Sequence, residues 1–225
     1  GVAVNPNGTK VYVTNMGNNT TNVIDTTTNK VTTTIEVGMY PWGIAVNPTG
    51  TMVYVANNGD NTTSIIDTAT NNVTATINVG INPVAVAVSP DGKKAYVTNS
   101  GSESNPGSVS VIDTATNNVT ATVPAGNGTF GVAVRPDGSE VFVTNTFSNT
   151  TSVINTTNDS VIATVPVGIN PNGVSITPDG KEAYVVNAEG TVSVIATATN
   201  NVTATVPVVP GSICFGQFIG KGPEK

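Results

Sequence analysis

The residues of this chain that could do chemistry are mostly carboxylates and amides set at regular steps. Asp25, Asp67 and Asp113 each precede a Thr-x-Thr-Asn sequence. A ring of such carboxylates could hold calcium, which takes carboxylate and carbonyl oxygens. An aspartate in that place can equally accept hydrogen bonds from the turn that follows it. The fourth and fifth occurrences are Asn155 and Ala196, which a turn tolerates better than a metal would, so the turn reading is preferred. Asp91, Asp137 and Asp179 stand in Pro-Asp-Gly, with Asn7 and Thr49 at the matched places, and read as turn residues for the same reason. Asn15, Asn57, Asn99, Asn145 and Asn187 each close a short apolar word. Asparagine tolerates left-handed backbone and caps locally, so these are expected at strand ends leading into turns.

Composition removes other chemistries. With no histidine and one cysteine, Cys214, the chain can build neither a Ser-His-Asp triad, nor a His-ligated heme or copper site, nor the usual zinc sites. No phosphate-cradling glycine loop is present, and Arg135 is the sole arginine. The expectation is a non-enzymatic protein with no cofactor and no metal. Charged residues make up 10% of the chain and the net charge is −6, so nucleic acid and anionic membranes are not expected partners. There is no apolar run of about 18 residues to insert in a membrane. The polar surface must come from 29 asparagines and 37 threonines.

Those residues are positioned by a repeat. VYVTN at 11–15 returns as VYVAN at 53–57, AYVTN at 95–99, VFVTN at 141–145 and AYVVN at 183–187, in steps of 42, 42, 46 and 42. Each unit holds four short runs rich in Val, Ile, Thr and Tyr, bounded by Gly, Pro, Asn and Asp, which is strand chemistry. In unit two the runs are Gly43–Val46, Met52–Ala56, Thr63–Asp67 and Val73–Val79. In the Pro-Asp-Gly turns, proline presets φ and glycine supplies a positive one. Four-stranded meanders repeating around an axis make an all-β fold, a β-propeller of antiparallel four-stranded blades. The first runs are small (GVAV, GIAV, GVAV), as the crowded axis of a propeller requires.

The units resemble the YVTN-type β-propeller repeat of archaeal surface-layer proteins and some bacterial surface or periplasmic proteins. The likeness spans residues 1 to about 220 through the GVAV, PDG, YVTN, VIDT and NVTATI elements. It implies a propeller at residues 1–220, with units at 1–42, 43–84, 85–130, 131–172 and 173–210, and a tail at 221–225. Unit three carries four extra residues within Ser100–Gly107. Residues 211–220 align with the start of unit two, so Gly216, Gln217, Phe218 and Ile219 are expected to form the inner strand of a sixth unit. Three outcomes follow: a larger ring completed by missing N-terminal residues (favoured), five closed blades with that strand outside, or the strand donated to a neighbour as an assembly strand.

In such a meander the unit-to-unit links share one face with the turn after the second strand. Tyr40, Trp42, Phe130 and Phe215 lie in those links, and are expected to gather at the channel mouth. They would form a ligand or partner face there, for stacking sugars or docking a protein, or would pack blade against blade. Sequons for N-glycosylation fall at Asn7, Asn18, Asn19, Asn61, Asn72, Asn118, Asn127, Asn149, Asn155, Asn158 and Asn201. Low charge, Asn/Thr content, sequons and the resemblance together imply an extracellular, cell-surface structural or adhesive module that associates with itself or with other surface proteins. The alternative is a monomeric module binding a ligand such as carbohydrate at the aromatic face.

Overall fold

The computed structural model describes residues 1–102 and 105–212. They form twenty strands and no helix. Blade one is β1 (Val2–Val4), β2 (Lys10–Asn15), β3 (Thr20–Asp25) and β4 (Lys30–Glu36). Blade two is β5 (Pro41–Val46), β6 (Met52–Asn57), β7 (Thr62–Asp67) and β8 (Asn72–Asn78). Blade three is β9 (Pro83–Val88), β10 (Lys94–Asn99), β11 (Ser108–Asp113) and β12 (Asn118–Pro124). Blade four is β13 (Thr129–Val134), β14 (Glu140–Asn145), β15 (Thr150–Asn155) and β16 (Ser160–Pro166). Blade five is β17 (Pro171–Ile176), β18 (Glu182–Asn187), β19 (Thr191–Ala196) and β20 (Asn201–Pro207). Each blade is an antiparallel meander in chain order, and the fold is a β-propeller.

The turns carry the asparagine. After the third strand of each blade the chain reverses through a residue at positive φ: Asn29, Asn71, Asn117, Asp159 and Asn200, all between 51° and 56°. Short polar side chains visit this region at low cost, and large ones do not. In the Pro-Asp-Gly turns and their variants, Gly8, Gly50, Gly92, Gly138 and Gly180 take φ of 71° to 75°. The inner strands begin two residues before the small run seen in the sequence, because a bulge near Trp42 and Gly43 lets Pro41 pair with Asn57.

The core lies between blades. Tyr12, Val23 and Ile35 of blade one meet Ile44, Val53, Val55 and Ile66 of blade two, and the pattern repeats between blades two and three, three and four, and four and five. The alternation within the YVTN word therefore has a simple meaning: the aromatic faces the next blade and the flanking valines face the previous one. Polar ties span the same seams. Lys94 reaches Asp159 at 2.9 Å and the carbonyl of Thr156 at 2.7 Å in the next blade, and Arg135 donates to the Gly180 carbonyl at 3.1 Å. Among the described residues no core joins blade five to blade one. The expected strand at Gly216–Ile219, and Phe215 before it, lie outside the described residues.

Candidate functional site

The five inner strands surround a channel lined mainly by Gly1, Gly43, Ala85, Gly131 and Gly173 with neighbouring valines and isoleucine. Glycine is required here. A Cβ on Gly43 would collide with the Val84 carbonyl, and one on Gly131 would lie 2.9 Å from that of Asn172. Among the described residues the lining has no ionisable side chain.

The mouth of this channel is where two of the expected aromatics meet. Trp42 of blade two and Phe130 of blade four pack edge to face, 5.7 Å between centroids at 82°. Blade three stands between those blades, so the contact spans the channel. Both rings are half-buried. At the matched positions Val84 and Asn172 are buried, and the Asn172 amide donates to the Ser212 carbonyl at 3.2 Å. Threonines of the YVTN word hold the aromatics in place. Thr14 donates to the Trp42 carbonyl at 2.8 Å and Thr98 to the Phe130 carbonyl at 2.6 Å, each reaching from its own blade into another. Thr98 also accepts the Ala85 N–H at 3.0 Å.

Tyr40 stands apart from that pair, at the rim. It is half exposed and has a φ of 50°, and its N–H donates to the Asn19 side chain at 2.9 Å. The matched residues are Asn82, Asn170 and Gly128, also at positive φ, and the two asparagines donate to Asn61 and Asn149 in the same way. Tyrosine is the costly choice in this series. Tyr40→Asn should raise the unfolding free energy by about 1 kcal/mol, since left-handed backbone penalises a large side chain by roughly that amount. Urea denaturation measures it, and a less stable variant would mean that the ring's contact with Gly59 outweighs the strain. Met39 and Phe147 are exposed on the same face. The described residues of the unit-three insertion lie there too, with the Asn82 amide donating to the Gly101 carbonyl at 2.9 Å.

The word-ending asparagines close the second strands as expected, but not through left-handed backbone. None of Asn15, Asn57, Asn99, Asn145 and Asn187 has positive φ, and all but Asn15 are fully buried. Their amides donate sideways into the third strand, Asn57 to Thr62 and Ser64, Asn145 to Thr150 and Ser152, Asn187 to Thr191 and Ser193, all at 2.9 to 3.0 Å. Each buried asparagine lies against a link glycine, Gly38, Gly80, Gly126 or Gly168, whose added Cβ would come within 2.7 Å of it. The clamp is invisible in a single unit. Its sequence signal is the joint recurrence of link glycine, Asn and Ser across four units.

The recurrent aspartates are turn acceptors. Asp25 and Asp67 each take the backbone N–H and then the hydroxyl of Thr28 and Thr70, at 2.7 to 3.0 Å, and these bonds hold their carboxyls below the usual range. The Thr116 hydroxyl and N–H do the same for Asp113. The Ser89 and Thr177 hydroxyls lower Asp91 and Asp179, and Ser139 bonds Asp137 at 2.7 Å. Among the described residues no three acidic or sulfur side chains are placed to share a metal. Of the sequon asparagines, Asn7, Asn18, Asn61, Asn72, Asn118, Asn127, Asn149, Asn158 and Asn201 are exposed, while Asn19 and Asn155 are half-buried.

A family model described as the cytochrome D1 heme domain matches residues 7–142. Hydrazine synthase of Kuenenia stuttgartiensis is similar in structure, with a TM-score of 0.81 and 27% identity over 92% of this chain and 65% of that one. A functionally unknown protein from Desulfotomaculum acetoxidans DSM 771 has a TM-score of 0.79 at 18% identity, over 89% of this chain and 66% of that one, and shows the fold alone. The chain thus spans just under two thirds of either structure. No curated protein sequence matches it.

Proposed function

The chain belongs to the cytochrome D1 heme domain family, and from that premise we propose that it is a member that binds no heme and works as a non-enzymatic, extracellular structural module. The observation that carries this reading is the donor set. Heme iron takes His, Cys, Met or Tyr. The sequence has no histidine, and among the described residues no such side chain lines the channel. Tyr12, Tyr54 and Tyr96 are spent in the seams between blades, and Tyr184 donates to Glu182 at 2.9 Å.

Tyr40 and Met39 reach the rim, but the charges around them oppose heme propionates. The described basic residues, Lys10, Lys30, Lys93, Lys94, Arg135 and Lys181, sit at the Pro-Asp-Gly end of the blades, while Asp60 and Glu189 stand at the mouth end. The described residues do not fit the group.

Low charge, the asparagine and threonine surface, nine exposed sequons and the resemblance to surface-layer repeats support the cell-surface part of the reading. The strained, exposed Tyr40 supports the mouth as the face offered to a partner. Hemin titration of the full chain tests the proposal. The expected result is a Soret band that stays that of free hemin. Stoichiometric uptake with a sharpened, shifted band would overturn it.

A further inference from the structure

We propose that Asn72 carries an N-linked glycan whose first sugars lie in the groove between the outer strands of blades one and two. The proposal rests on the extracellular reading, and it singles out one of the eleven sequons by what surrounds it.

Asn72 opens β8, and Val73 and Thr74 complete its sequon. It is exposed. Other exposed sequon asparagines are occupied in holding turns and links. Asn7 accepts the Thr9 hydroxyl at 2.7 Å and Asn158 that of Ser160 at 2.8 Å, while Asn61 and Asn149 accept the N–H groups of Asn82 and Asn170. Among the described residues the Asn72 amide has no such duty. Side chains two apart on a strand share a face, so Asn72 and Thr74 stand together, and the Thr74 hydroxyl donates to the Ile65 carbonyl at 3.3 Å.

Asn72 lines an open groove of about 450 Å³ with Thr33, Thr34, Glu36, Thr70 and Asn71. Sites that hold small molecules measure about 300–1,000 Å³. Hydroxyls, amides and a carboxylate offer the donors and acceptors that sugar hydroxyls pair with. This wall is particular to blade one. The counterparts of Thr33 and Glu36 in blade two are Ala75 and Asn78, on the strand that packs beside β12, where the matched sequon Asn118 stands.

The groove also runs between two sheet edges, since β4 and β8 are the outermost strands of their blades. Unpaired edges recruit other chains, and proteins cover them. A glycan seated here covers both.

The glycan donor is a lipid-linked oligosaccharide diphosphate, used by a transferase of the cell envelope. The Asn72 nitrogen bonds to C1 of the first sugar as the C1–O bond to the diphosphate breaks. The nitrogen gives up one proton, the lipid diphosphate leaves, and nothing is oxidised or reduced.

Mass spectrometry of the chain isolated from its native cells tests the attachment, with fragmentation that separates Asn72 from Asn61. The parent and Thr74→Ser should carry glycan at position 72. Thr74→Val removes the hydroxyl that the sequon requires and should leave that position bare. A bare Asn72 in the parent would overturn the proposal, as would glycan retained there in the valine variant.

Exoglycosidase trimming tests the seat. The Asn72 glycan should be trimmed several-fold faster in Thr33→Ala/Glu36→Ala than in the parent. Equal rates would mean that the sugars stand in solvent, and would overturn the groove assignment. Far-ultraviolet circular dichroism checks the fold of each variant. Protease digestion of intact cells tests the extracellular reading by itself, so a surface-exposed chain with a bare Asn72 would sink this proposal alone.

Discussion

Tyr96→Ala is expected to lower the unfolding free energy by about 3–5 kcal/mol, the usual cost of emptying a large aromatic site. Tyr96→Phe should leave it within about 1 kcal/mol of the parent, or raise it. Tyr96 is fully buried, between blades three and four. Its ring fills that seam, and truncation leaves a cavity that two rigid sheets cannot collapse to fill.

The hydroxyl is a different matter. Among the described residues the Tyr96 and Tyr12 hydroxyl oxygens have no hydrogen-bond partner, and burial pushes the Tyr96 phenol above its ordinary range. Blade four has Phe142 at the matched position, equally buried. A buried hydroxyl without a partner contributes nothing to offset its desolvation, so its removal should be harmless. Urea denaturation of both variants separates ring from hydroxyl. A loss of more than about 1 kcal/mol in the phenylalanine variant would show that the hydroxyl is satisfied by a buried water.

The architecture was legible in the sequence because its causes are local. Strand runs follow from β-branched alternation. The Pro-Asp-Gly turns follow from backbone preferences, and the small inner runs from crowding at an axis. The aspartates were legible for the same reason, since their partners lie two and three residues away. The roles of Thr98 and Asn145 were not, because their partners lie across a blade or in the next one. Thr98 bonds a carbonyl 32 residues away, and a strand pattern records which face a threonine occupies without saying what its hydroxyl meets.

Asparagine misled for a related reason. The left-handed asparagines lie in turns and links, such as Asn71, Asn117, Asn61 and Asn82, whereas those ending the YVTN word close strands, and all but Asn15 are buried. One residue type does two jobs, and only the register separates them. Trp42 and Phe130 were expected at the mouth and stand there, but Tyr40 is not stacked with them. Its positive φ places it in series with Asn82 and Asn170, a relation the residue type conceals.

Asn145→Ala should cost about 2–4 kcal/mol, because it strands several buried polar groups at once and each unpaired group costs about 1–3 kcal/mol. The Asn145 amide donates to Thr150 at 3.0 Å and Ser152 at 2.9 Å, while its carbonyl oxygen accepts the Gly126 N–H at 3.1 Å. One side chain thereby ties the second strand, the third strand and the incoming link. Asn15 makes only the first of these bonds, to Thr20 at 3.1 Å, and is half exposed, so Asn15→Ala should cost about 1 kcal/mol or less.

The clamp also makes a prediction about its glycine. A Cβ at Gly126 would lie 2.7 Å from the Asn145 side chain, so Gly126→Ala should be destabilising while Asn145 is present and less so once it is alanine. Residues in contact couple by about 0.5–3 kcal/mol in such cycles. Chemical denaturation of the two single variants and the double variant measures the coupling. Simple additivity would mean that the glycine recurs for the backbone alone. A double variant more stable than the sum of its parts would mean that the link glycine recurs because the asparagine needs the space.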